Sequence, residues 1–290
     1  MITGGTGFIG GAAAWRLLGR GDEVVIFARS AARAAVLASA GATVVVGELE
    51  DAGALGRAAA GCEVVLHAAG VPRPASWKTF RAVHIEGTRQ VLAAARAAGV
   101  RRFVHVASQA VIFAGKDLID VDESHPYPER YIDPYSATKG EAERVALAEN
   151  GRGLEVTSVR PGVVWGPGDT TVLPIMAKLA RSPAGVPMCG DGTNTEATTY
   201  IENLTDGILA AMSSPVGPGR AYFILDGFRI SWKGFLSAQL QAAGVRPKFL
   251  RVPKGIAVPG AWALDHAAGA LGLPVPLALF GVKNAMTSRV

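Results

Sequence analysis

From residue 8 to about 160, short apolar, β-branched runs alternate with longer stretches in which apolar positions recur every three or four residues. The runs Val24-Val25-Ile26-Phe27, Thr43-Val44-Val45-Val46, Glu63-Val64-Val65-Leu66, Arg102-Phe103-Val104-His105-Val106 and Val156-Thr157-Ser158-Val159 lack polar alternation, as strands buried on both faces should. The stretches between them, about 8–20, 31–40, 51–60, 78–98 and 134–150, are Ala-rich and read as helices. Several end at a glycine suited to a C-cap, such as Gly41, Gly99 or Gly151. This order predicts an α/β fold with a doubly wound parallel sheet. After Arg160-Pro161-Gly162 the connections become longer and richer in Pro and Gly, which predicts a smaller C-terminal substrate-binding lobe. The expected division is 1–160 and 161–290, with some chain crossing between the two.

Composition narrows the class. With 49% hydrophobic and 18% charged residues in 290 positions, the chain has enough apolar side chains for a packed core, which excludes disorder. The net charge of +5 comes from scattered arginines, with no basic run interleaved with aromatics, so no nucleic-acid partner is expected. Cys62 and Cys189 form neither a disulfide framework nor a zinc-type spacing, so no metal is expected and a reducing, cytoplasmic setting is. No basic stretch followed by an apolar segment marks a signal peptide at the N-terminus. The most apolar region, 255–282, is broken by Pro259, Asp265, His266, Pro274 and Pro276, so no spanning helix is expected and membrane contact is disfavoured. A peripheral contact and an apolar substrate wall stay open for it.

The chain opens MITGGTGFIGG. Gly4, Gly7 and Gly10 are spaced GxxGxxG, which permits a tight turn, close approach to a pyrophosphate and close packing of the next helix. The helix start then offers unpaired N–H groups to the phosphate. Downstream, the second strand ends without the carboxylate that would bind a ribose 2′-hydroxyl: Ala28 stands there, and Arg29-Ser30 follow. Arg29 can neutralise a 2′-phosphate, so a Rossmann-type site favouring NADP(H), with NAD(H) as the other cofactor, is expected. The plainer reading is a solvated arginine at a strand end.

Tyr135 and Lys139 are four apart at a helix start, where i and i+4 side chains share a face. A phenol that must ionise near neutrality needs a nearby ammonium. A hydroxyl to hold a substrate oxygen is expected at a strand end, and Ser108 closes the run 103–108.

With these residues in view, the chain resembles an extended short-chain dehydrogenase/reductase of the NAD(P)-dependent epimerase/dehydratase and 3β-hydroxysteroid dehydrogenase type. The likeness includes His67-Ala68-Ala69-Gly70, His84-Ile85-Glu86-Gly87-Thr88, Arg160-Pro161-Gly162 and Trp165-Gly166-Pro167-Gly168-Asp169, and spans nearly the whole chain. It implies that Tyr135 is the acid/base, that Lys139 lowers its pKa and holds the nicotinamide ribose, and that Ser108 binds the substrate carbonyl, with hydride passing to or from the cofactor. It further implies cofactor contacts from Gly4, Gly7, Phe8, Ile9, Gly10, Arg29, Ser30, Glu48, Leu49, His67, Ala68, Ala69, Pro161 and Val163, besides Tyr135 and Lys139. The substrate would meet Ser108, Trp165, Met188 and Tyr200, and two helices, near 80–98 and 134–150, would pair with their copies in a homodimer.

Several departures bear on function. Gly47-Glu48-Leu49 replaces GDL, and His84 stands where Asn precedes xGT, which reads as a satisfied helix histidine rather than a new base. Val163 and Glu196 occupy the places of a nucleotide-sugar enzyme's Asn and Arg anchors, and a carboxylate there repels a diphosphate. Ser108 is followed by Gln109-Ala110 instead of the Asp-Glu of dehydratases. The expected activity is therefore interconversion of a small apolar ketone and secondary alcohol, of steroid, aryl or aliphatic type. The alternatives are a nucleotide-sugar epimerase and a non-catalytic NADP-sensing protein, which typically lacks the Tyr or Lys kept here. Finally, Met1-Ile2-Thr3 offers only the last rungs of a central strand, and relatives continue past Phe280-Gly281-Val282. A start trimmed from a longer chain, or a tolerated stub, is expected.

Overall fold

The computed structural model describes residues 1–71, 75–271, 281–283 and 285–289. Pro274, Pro276 and Phe280, singled out above, lie outside them. The first part of the chain runs β1 (Ile2–Thr3), α1 (Phe8–Gly19), β2 (Val25–Ala28), α2 (Ala31–Ser39), β3 (Thr43–Val46), α3 (Ala52–Ala59) and β4 (Val64–His67). It continues with α4 (Trp77–Phe80), a π-helical turn (Arg81–Glu86), α5 (Gly87–Ala97), β5 (Arg102–Val106), a 3₁₀ turn (Gln109–Ile112), α6 (Pro134–Ala148) and β6 (Glu155–Pro161). The remainder holds β7 (Val163–Trp165), α7 (Leu173–Arg181), β8 (Val186–Cys189), β9 (Thr195–Glu196), β10 (Thr198–Tyr200), α8 (Ile201–Ser213), β11 (Ala221–Ile224), β12 (Ile230–Ser231), α9 (Trp232–Ala242), β13 (Phe249–Val252) and α10 (Lys254–Ala270).

Seven strands form one parallel sheet in the order β11-β6-β5-β4-β1-β2-β3. Neighbouring residues of a strand point to opposite faces, and both faces are buried. Phe27, Val65 and Phe103 pack under α3 and α5, whereas Ile26, Leu66 and Val104 pack with Ala13 and Ala14 of α1 and Leu204 and Ile208 of α8. The strand order reverses between β1 and β4, so ligands are expected beyond the carboxyl ends of those strands. The two-residue β1 pairs on both sides, Ile2 with Ile26 and Leu66.

Two expectations need correction. β3 is not buried on both faces: as the sheet's edge it leaves Thr43 and Val46 exposed, and its apolar run reflects β-propensity rather than double burial. The expected helix 78–98 is interrupted by the π-helical turn, where the Thr88 hydroxyl donates to the His84 carbonyl at 2.5 Å. Past residue 160 part of the chain returns to the first sheet: β11 pairs with β6, and α8 covers one face.

The rest of the second part builds its own core, in which Val186, Met188, Phe235, Leu236 and Leu240 pack with Trp165 and Trp232. Residues near the end of the described chain join both parts: the Leu118 N–H donates to the Ser288 carbonyl at 2.8 Å, and the Arg289 N–H to the Thr195 carbonyl at 2.9 Å. Among the described residues no helix is long and apolar enough to cross a membrane.

Candidate active site

The glycine turn sits at the carboxyl end of β1. Gly4 has φ +72°, and the Gly7 N–H donates back to its carbonyl at 2.9 Å. A Cβ on Gly4 would lie 2.7 Å from the Ala68 carbonyl, and one on Gly10 would lie 2.5 Å from the Gly4 oxygen. Side chains are thus excluded from the turn. The first bond of α1 runs from the Gly11 N–H to the Gly7 carbonyl, and no acceptor among the described residues takes the N–H groups of Phe8, Ile9 and Gly10. Three free donors at a helix start, on a turn with no room for a Cβ, fit a dinucleotide pyrophosphate.

At the end of β2, Arg29 is exposed and makes no ion pair with the described residues. Ser30 is engaged in the fold, its hydroxyl accepting the Arg33 N–H at the start of α2. Arg33, which the sequence reading passed over, is a second exposed cation on this turn; its signal was the spacing Arg29-Ser30-Ala31-Ala32-Arg33. Glu48 is exposed, and Leu49 packs against Gly87. Ala68 and Ala69 follow β4, held by bonds from their N–H groups to the carbonyl and hydroxyl of Thr3. Pro161 ends β6 and is buried; Val163 packs into the second core.

The catalytic candidates meet at the ends of β5 and α6. Asp133 caps α6, accepting from the Ser136 N–H at 2.8 Å and hydroxyl at 2.7 Å, and Pro134 opens the helix. This start places Tyr135 beside Ser108, whose hydroxyl is hydrogen-bonded to the phenol. Burial raises the Tyr135 pKa, the Ser108 bond opposes it, and the charge of Asp133 adds to the rise. One turn later Lys139 is buried, and its Nζ donates to the Val106 carbonyl at 2.6 Å. Burial brings its pKa down to about 8, against the opposing pull of Glu143. The site therefore holds a protonated phenol hydrogen-bonded to a hydroxyl and, one turn further along α6, a buried ammonium with a lowered pKa.

The residues behind Lys139 were only partly foreseen. Arg160 of the Arg-Pro-Gly segment is buried and grips Glu143 at 2.9–3.0 Å, while the hydroxyls of Ser158 and Tyr127 also donate to Glu143. The sequence signal was a carboxylate one turn past Lys139 on the same helix face. The His67 side chain is committed to the fold. It is 1% exposed, with Nδ1 2.7 Å from the Thr3 hydroxyl and Nε2 3.0 Å from the Thr88 hydroxyl, so neither nitrogen is left for a cofactor.

Of the substrate candidates, Trp165 donates its indole N–H to Asp226 at 2.8 Å and lies 4.8 Å, between ring centroids, from Tyr200. Met188 is buried in the core of the second part, 3% exposed, so its side chain is packing there. Glu196 does not face a cleft as the sequence reading supposed: it is buried, paired with Arg289 at 2.5 Å, and accepts from the Gln109 amide at 3.1 Å. Its charge is neutralised inside the protein, so repulsion of a diphosphate no longer follows from it. Next to Ser108 in sequence, Gln109 borders a small cavity of about 20 Å³ walled by Ile112, Leu118, Val121, Ala197, Phe223, Leu225 and Arg289, none foreseen as a site residue. Among the described residues no group of three or more His, Cys, Asp or Glu is placed to hold a metal ion.

A family model described as the 3-beta hydroxysteroid dehydrogenase/isomerase family matches residues 1–253. The chain belongs to that family. It is an extended short-chain dehydrogenase/reductase, an oxidoreductase with a site for a nicotinamide cofactor. It is 36% identical to a 4-hydroxy-2-methyl-3-oxo-4-farnesyl-3,4-dihydroquinoline-1-oxide ketoreductase of Stigmatella aurantiaca, over 87% of this chain and 75% of that one. It is 33% identical to a 2-alkyl-3-oxoalkanoate reductase of Stenotrophomonas maltophilia, over 84% and 75%. Among solved structures, the dTDP-glucose 4,6-dehydratase DesIV of Streptomyces venezuelae with NAD and TYD bound superimposes with a TM-score of 0.73 at 26% identity, covering 87% of this chain and 83% of that one.

Proposed function

We propose that the protein interconverts an apolar ketone and the corresponding secondary alcohol, with Tyr135 as the proton donor and acceptor. The observation that carries this reading is the hydrogen bond between Ser108 and Tyr135, with the buried Lys139 one turn further along α6. When bound, the nicotinamide cofactor supplies the hydride for reduction or accepts it in oxidation. In reduction the Tyr135 phenol gives its proton to the substrate oxygen as that oxygen gains charge, and the Ser108 hydroxyl hydrogen-bonds the same oxygen. The Lys139 ammonium, held on the Val106 carbonyl, stabilises the phenolate left behind.

The substrate class rests on the walls and the relatives. The side chains of Ile112, Leu118 and Val121 beyond Gln109 are apolar, and the rings of Trp165 and Tyr200 are aromatic. The two bacterial relatives are named for reducing ketones that carry alkyl or farnesyl groups beside the carbonyl. The same reading takes NADPH over NADH, because Arg29 and Arg33 stand exposed past β2 and no carboxylate occupies Ala28.

The test is a turnover screen of steroid, aryl and α-alkyl aliphatic ketones against UDP-sugars, read by NADPH oxidation for the ketones and by chromatography for epimerised sugars. Turnover of at least one ketone class is expected. Activity confined to UDP-sugars would replace this reading with an epimerase.

A further inference from the structure

His84 is packed against Tyr135 but takes no part in the proton transfer described above. It lies in the π-helical turn, 2% exposed, with its ring edge-on to Tyr135, at 5.7 Å between centroids and an interplanar angle of 80°. Phe80 flanks the same phenol at 6.1 Å and stands 5.4 Å from the imidazole.

The hydrogen bonds fix the imidazole completely. The Val71 backbone N–H lies 3.0 Å from Nε2, and a backbone N–H can only donate, so Nε2 accepts. A neutral ring then carries its proton on Nδ1, which donates to the Thr138 hydroxyl at 2.9 Å. That hydroxyl donates in turn to the Pro134 carbonyl at 2.8 Å. The neutral form is the one the surroundings enforce, since burial and the Lys139 charge bring the His84 pKa down to about 2. His84 therefore has no vacant lone pair with which to act as a base.

What the ring does instead is join two segments that shape the site. Val71 belongs to the stretch that follows β4, beside Ala68 and Ala69. Thr138 and Pro134 belong to the first turns of α6 and bracket Tyr135, with Lys139 the next residue. The extra residue of a π-helical turn rotates a helix face locally, and such turns recur at functional sites.

We propose that His84 is a positioning residue for Tyr135: its two hydrogen bonds tie α6 to the segment after β4, and its ring holds the phenol toward Ser108. This rests on the reading of Tyr135 as the acid/base, and it assigns His84 a role through orientation alone.

The test uses the full chain carrying 3-fluorotyrosine, with the Tyr135 fluorine resonance assigned by its loss in Tyr135→Phe. His84→Phe keeps a ring and removes both hydrogen bonds. His84→Asn keeps a donor where Nδ1 stands. Thr138→Val cuts the same link from the other end. A single narrow Tyr135 signal is expected in the unaltered protein and in His84→Asn, with a broadened or split signal in His84→Phe and Thr138→Val. With ethyl 2-methylacetoacetate as the probe ketone, kcat should fall about tenfold in the latter two, within about threefold for His84→Asn, while the NADPH dissociation constant stays within about twofold. A narrow Tyr135 signal in both His84→Phe and Thr138→Val would overturn the proposal. So would a parallel loss of kcat and cofactor affinity. Because the resonance is read without turnover, failure of the probe ketone would count against the substrate reading and not against the role of His84.

Discussion

Glu143 and Arg160 form an ion pair sealed inside the protein, 0% and 3% exposed, one helical turn beyond Lys139. Three contacts of 2.9–3.0 Å join the guanidinium to the carboxylate, and the hydroxyls of Ser158 and Tyr127 complete the oxygens. The carboxylate is also the charge that raises the Lys139 pKa against burial. Tyr135, Lys139 and Glu143 thus lie along one face of α6 as phenol, cation and counter-charge.

Glu143→Gln leaves the Arg160 guanidinium buried without its partner. A loss of about 3–5 kcal/mol in unfolding free energy is expected. Urea unfolding at pH 7 measures it; a loss below about 1 kcal/mol would mean that the pair is dispensable.

Acid should destabilise the protein through its buried histidines. Burial, with the Lys139 charge, lowers His67 to about 3 and His84 to about 2, and His105 well below its ordinary value. The unfolded chain takes up these protons below about pH 6.5 while the folded chain does not, so their contribution is complete above pH 6.5 and is lost as pH falls. Asp133, raised by burial to about 6, and Glu196, also raised, act in the opposite sense because their folded forms hold a proton more tightly. The histidine part is isolated by His105→Leu, since neither ring nitrogen of His105 has a hydrogen-bond partner among the described residues. Between pH 6 and 5 the fall in unfolding free energy should be smaller in this variant by about one proton, or about 1.4 kcal/mol per pH unit. Equal slopes would contradict the neutral burial of His105.

Arg29→Ala should weaken NADPH binding by about tenfold or more and leave NADH binding within about twofold, because only the former offers a 2′-phosphate to the guanidinium. Protein-fluorescence titration with both cofactors measures the ratio. Equal losses would make Arg29 a general surface charge.

Much of this was readable along the chain. The parallel strands announced themselves as unbroken apolar runs, and the glycine turn and the Tyr135–Lys139 pair are local spacings, visible without knowing what lies across the sheet. What escaped was long-range. Nothing near residue 143 says that Arg160 will face it, and nothing near Glu196 says that Arg289 returns to neutralise it. The edge position of β3 was hidden because Val44 and Val45 suit both edge and interior strands. His84 carried a helical pattern, and only the π-helical turn reveals that its ring faces the phenol.

The account stands on Tyr135 as the proton donor. The most direct measurement compares single-turnover reduction of a responsive ketone by Tyr135→Phe and the unaltered protein, with the NADPH dissociation constant taken on both. A rate lower by about 10²-fold or more with cofactor affinity unchanged within about twofold is predicted. A variant that keeps more than about a tenth of the rate would remove Tyr135 from the chemistry.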